Sequence, residues 1–78
     1  MPQPYANFKF PPGFSKDALV QANAQYYVVN RRAPRGKVGT VVAATSKPNS
    51  LRVLWSDCRY DAEVDIRCLT VLRQGTVA

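Results

Sequence analysis

Histidine is absent from this 78-residue chain, and cysteine occurs only at Cys58 and Cys68. A four-ligand zinc site therefore lacks donors. General acid–base work near neutral pH would fall to carboxylates, cysteine or lysine. No Ser or Cys sits in a recognisable nucleophile setting. No stretch reaches the roughly 18 apolar residues of a membrane span, and the N-terminus lacks a basic start followed by an apolar run. Helical periodicity is missing over any useful length. These absences lead to the expectation of a single non-catalytic domain of the cytoplasm, with no metal, no cofactor, no membrane partner and both thiols reduced.

Acidic residues are also scarce. Five Asp and Glu stand against eleven Lys and Arg, for a formal charge of +6. A field of this sign attracts phosphate polymers and acidic proteins, and it also serves solubility. The apolar fraction of 46% is that of a folded protein. A chain this small buries only about 60% of its extended surface, so a partner or self-association would add to a marginal core.

The chain divides into an N-terminal arm (residues 1–16), a β-domain (17–74) and a short tail (75–78). Pro2, Pro4, Pro11 and Pro12 exclude helix and central strand from the arm. Its aromatics, Tyr5, Phe8, Phe10 and Phe14, suit either packing along the domain or docking on a partner. Phe8 and Phe10 alternate around Lys9 as in a short edge strand. Residues 17–20 read as a first strand, 21–25 as a loop, and Tyr26-Tyr27-Val28-Val29 as a strand by composition. A short helix capped by Ser15 competes over residues 15–24. An exposed loop covers 30–37, and 37–45 is a strand whose Gly39 predicts a bulge or a close backbone approach. After a turn at 46–50, residues 51–56 alternate, with Leu51, Val53 and Trp55 inward. A polar turn follows. Residues 63–67 alternate with Val64 and Ile66 inward, and 69–72 close the sheet.

The sharpest constellation is the basic loop. Arg31, Arg32, Arg35 and Lys37 are four cations within seven residues. They can contact several phosphates, while Tyr26 and Tyr27 supply stacking surfaces beside them. The expected ligand is RNA or DNA. An assembly role, as a homo-oligomer or on an acidic protein, would use Phe8, Phe10, Phe14, Leu54 and Leu72, the two leucines falling on the outward parity of their strands. Asp57, Asp61, Glu63 and Asp65 lie within nine positions. They form an acidic pole that could pair head to tail with a second copy, and their spacing does not match a calcium loop. A proline-peptide groove of Tyr26, Tyr27, Trp55 and Tyr60 would need an acidic first loop, and this loop is basic.

The stretch Gly36-Lys37-Val38-Gly39-Thr40-Val41-Val42, a turn, and Leu51-Arg52-Val53-Leu54-Trp55 resembles the central strands of SH3-like modules, KOW-type domains among them. The resemblance covers about 55 residues and implies an all-β, five-stranded SH3-like barrel carrying the N-terminal arm. Such barrels serve many functions. A second similarity is to the plasmid-encoded type II dihydrofolate reductases, which share this size and barrel. It rests on Asn7-Phe8-Lys9-Phe10-Pro11, Phe14 and a Val-x-Ile-x element. That family's Val-Gln-Ile-Tyr pore motif reads Val64-Asp65-Ile66-Arg67 here, so of its ligand-facing positions only Ile66 carries over. A carboxylate would face the anionic folate.

Overall fold

The computed structural model describes residues 8–75. Five strands, β1 (Leu19–Ala22), β2 (Val38–Ala44), β3 (Ser50–Trp55), β4 (Ala62–Asp65) and β5 (Leu69–Arg73), form one antiparallel sheet in the order β4-β3-β2-β1-β5. The all-β expectation is met. One short helix, α1 (Ala24–Val29), separates β1 from β2, and a 3-10 turn (Ile66–Cys68) separates β4 from β5.

Alternation along the strands builds the core. Val20 and Ala22 of β1, Val41 of β2, Leu51, Val53 and Trp55 of β3, and Val64 of β4 all face inward and are buried. The inward set expected on β3 is correct, with Trp55 only 3% exposed. Leu51, Val20, Val41 and Val53 are the largest fully buried side chains. Each removes enough apolar surface from water to contribute about 1.5–3 kcal/mol. Register shifts at Leu19/Val20 and at Val41/Ala43 bend the sheet around this core. Gly39 is not itself the bulge. It is a close approach, since a Cβ there would lie 2.8 Å from Val53 Cγ1 and 2.9 Å from the Leu54 carbonyl oxygen.

The structure corrects several elements. Residues 26–29 are helix, not strand. The Asn23 side chain caps α1, accepting from the N–H groups of Gln25 (3.0 Å) and Tyr26 (3.2 Å). At the other end the Asn30 side chain donates to the Tyr26 carbonyl at 3.0 Å. Burial of Tyr26 against Trp55, with ring centroids 5.2 Å apart, outweighs the strand preference of Tyr and Val. No helix covers 15–24. The first strand begins two residues late because Asp17 adopts a left-handed conformation, φ 68°. β4 stops at Asp65, whose carboxylate accepts from the Arg67 N–H at 2.8 Å and turns the chain into the 3-10 segment. Ile66 still packs against the core from that turn.

Phe8 to Phe10 form no strand. From Phe10 onward the arm lies on the domain: Pro11 is buried, and Phe10 and Phe14 pack against the core. The two ends of the described chain are clasped. Ser15 donates to the Gln74 side-chain oxygen (3.1 Å), Gln74 donates to the Gly13 carbonyl (3.0 Å), and the Gly75 N–H donates to Ser15 (3.0 Å). The readings made for Tyr5 and Asn7 lie outside the described residues.

Candidate nucleic-acid interface

The loop between α1 and β2 carries the expected cations, and its backbone is held in place. The Ala33 N–H donates to the Asn30 carbonyl at 3.1 Å, so Arg31 and Arg32 occupy the corner of a turn and are exposed. The Tyr27 hydroxyl donates to the Pro34 carbonyl at 3.0 Å and accepts from the Lys37 N–H at 3.1 Å. It thereby closes the Pro34–Lys37 turn, where Gly36 has φ 76°. The Arg35 guanidinium lies 4.4 Å from the centre of the Tyr27 ring. At that distance the ring face attracts the cation. Tyr27 is thus a scaffold for Arg35 and for the loop.

Lys37 and Tyr26 have other work. The Lys37 ammonium sits 3.1 Å from Asp57 and 5.3 Å from the centre of the Trp55 ring, with its side chain only 9% exposed. Burial pulls its pKa down, but the hydrogen bond to Asp57 and the neighbouring Tyr26, Asp57 and Cys58 outweigh it, and the net shift is upward. That same hydrogen bond from Lys37 holds the Asp57 carboxyl below its ordinary value. Tyr26 is 8% exposed, wedged edge-on between Tyr27 and Trp55, and burial raises its pKa. It cannot offer a ring face to a base. The four-aromatic groove is not a shared surface either, since Tyr26 and Trp55 are core residues while Tyr60 is 82% exposed.

The acidic stretch is neutralised locally. Asp57 pairs with Lys37, Glu63 with Lys47 (3.2 Å), Asp61 with Arg52, and Asp65 with Arg67 (3.0 Å). The Arg67 hydrogen bond holds the Asp65 carboxyl low. Among the described residues no three carboxylate or thiol side chains gather as a metal cluster. Lys9, Lys16, Arg31, Arg32, Arg35, Arg59 and Arg73 have no ion pair among the described residues. Three of these seven cations stand on the one stapled loop. The sheet therefore carries compensated charge around β4 and uncompensated positive charge at the α1–β2 loop.

A groove of about 720 Å³ runs between α1 and β4, lined by Tyr26, Trp55, Val64 and Cys68 together with the polar Gln25, Asn30, Glu63, Asp65 and Arg67. Two carboxylates on its wall make it a poor seat for phosphate. Leu54 and Leu72 are exposed, as expected, but they do not sit on adjacent strands, because β2 and β1 lie between β3 and β5. Cys58 is exposed and Cys68 buried, both free, and burial raises the Cys68 thiol pKa. Among the described residues no helix is long and apolar enough to cross a membrane.

Compared with known protein families, curated proteins and solved structures, the chain matches none.

Proposed function

We propose that this chain is a non-catalytic interaction module that binds nucleic acid, or a nucleoprotein, through Arg31, Arg32 and Arg35. The observation that carries the reading is the contrast in charge pairing. All four carboxylates around β4 are held by cations, while the three loop arginines have no ion pair among the described residues; Arg31 and Arg32 stand in the turn closed by Asn30 and Ala33, and Arg35 in the turn closed by Tyr27. The Arg35 guanidinium, held over the Tyr27 ring, would take a phosphate with little further loss of freedom.

The scaffold under this reading is an SH3-like small barrel. The strand order, the register shifts in β1 and β2 and the 3-10 turn before β5 support it. Two free thiols suit the reducing cytoplasm. The reductase resemblance gains no support from the β4 end, where Asp65 is tied to Arg67 and would set a carboxylate against folate.

Fluorescence anisotropy with a labelled oligonucleotide tests the proposal. Binding should fall steeply between about 50 and 200 mM salt. Each arginine changed to Ala should reduce the log–log slope by about one. Binding indifferent to salt, or untouched by changing Arg31, Arg32 and Arg35 together, would sink it.

A second reading, an assembly module, is favoured by the exposed Phe8 (42%), Leu54 (37%) and Leu72 (49%). Sedimentation discriminates: a stable oligomer without affinity for oligonucleotides would replace the first reading with this one.

A further inference from the structure

The turn between β3 and β4 is pinned at both ends. Asp57 is held by Lys37, and Asp61 by Arg52, whose Nε donates to its carboxylate at 2.9 Å and whose second guanidinium nitrogen donates to its carbonyl at 3.0 Å. Between the pins stand Cys58, Arg59 and Tyr60, all exposed. Tyr60, at 82%, is the most exposed of the large hydrophobic side chains among the described residues. A ring this open contributes little to folding. Its neighbour Arg59 has no ion pair among the described residues.

The location of this turn matters. The Ser56 N–H donates to the Val38 carbonyl at 2.8 Å, and Trp55 is paired with Gly39, so the turn leaves β3 where the basic loop enters β2. Lys37 ties the two segments together directly. The uncompensated arginines of the loop and the open Arg59-Tyr60 pair therefore stand at one end of the sheet, joined through an ion pair.

We propose that Arg59 and Tyr60 form the second half of the binding surface, and that its ligand is single-stranded nucleic acid, with one base stacked on the Tyr60 ring and the flanking phosphates on the arginines. The inference rests on the nucleic-acid reading above and adds the class of strand to it. In a duplex the base faces cover one another and are closed to a side chain. In a single strand they are free, and an exposed aromatic beside cations gains from them whatever the sequence. Tyr60 takes the role that Tyr26, buried in the core, cannot.

The test compares a single-stranded oligonucleotide of about 12 residues, within the span such surfaces cover, with its duplex. Tyr60→Leu should weaken single-strand binding roughly 5- to 150-fold, leaving duplex affinity and the salt slope unchanged. Tyr60→Phe should bind as the parent does. Tyr60→Trp should retain affinity and show quenching beyond any change of Trp55 emission in the parent when the strand is added. Arg59→Ala should lower the salt slope by about one. Equal losses for single strand and duplex in Tyr60→Leu, or no loss at all, overturn the inference. So does unquenched emission from Tyr60→Trp. If Tyr60→Leu binds normally while the Arg31, Arg32 and Arg35 triple change abolishes binding, only the stacking is wrong. If the unaltered protein binds no oligonucleotide, both readings fall.

Discussion

Lys37 and Asp57 form an ion pair that is buried at one end only: the lysine side chain is 9% exposed and the aspartate 46%. The pair joins the basic loop to the β3–β4 turn, so its loss should loosen both.

Its pH dependence has a definite sign. The folded-state pKa of Asp57 is lowered by Lys37, and that of Asp65 by Arg67. A lowered carboxyl stabilises the fold above its unfolded pKa, here near 3.8, and the contribution is lost as pH falls through the folded value. Lys37 is raised, so its contribution is complete below 10.5 and is lost as pH rises through the folded value. Thermal unfolding followed by circular dichroism should show a plateau around neutral pH and a falling Tm below about pH 4. Asp57→Asn should lower the plateau and blunt the acid fall. A Tm that holds constant down to about pH 2 would contradict this account.

Gly39 should tolerate no side chain. A Cβ would meet Val53 Cγ1 at 2.8 Å and the Trp55 ring at 2.9 Å, both packed in the core. Gly39→Ala should cost about 1–3 kcal/mol by overpacking, read as a lower urea midpoint at unchanged slope. A midpoint equal to the parent's would mean that the β2–β3 contact is looser than described.

Asn23 serves two elements at once. Its oxygen caps α1, and its Nδ2 donates to the Arg67 carbonyl at 2.9 Å, tying the helix to the 3-10 turn. Asn23→Ala should cost about 1 kcal/mol for the cap alone and more for the lost tie. Asn23→Asp keeps the cap acceptor but loses the donor. Urea unfolding of the two variants checks this: Asn23→Asp as stable as the parent would mean that the tie to Arg67 adds nothing.

The two thiols should separate cleanly in a labelling experiment. Cys58 is exposed, whereas Cys68 is buried with a raised pKa. One equivalent of a thiol reagent should react promptly under native conditions and the second only with unfolding. Prompt reaction of Cys68, identified by mass spectrometry, would show that the α1 side of the core opens readily.

Much of the fold was legible because strands announce themselves by alternation: Leu51, Val53 and Trp55 are inward, and the basic loop lies between two ordered elements. The helix was not legible. Tyr26-Tyr27-Val28-Val29 has strand composition, and what makes it helical is two asparagine caps plus the burial of one ring, a contact made with residues far along the chain. The same long-range effect hid the site's division of labour. Nothing local distinguishes Lys37, committed to Asp57, from Arg35, free above Tyr27. Nor does anything local mark Tyr60 as open and Tyr26 as closed, since that depends on which side of the sheet each segment reaches. The capping pattern of Asn23 was the one available signal for α1.

The single tryptophan lies at the root of the candidate surface. Its ring touches Tyr26 and sits under the Lys37 ammonium. Ring emission is sensitive to a nearby cation, so the protein carries an intrinsic optical probe at the junction of loop and turn. A wavelength shift on adding ligand, with no label attached, would time the moment when that junction feels the bound strand.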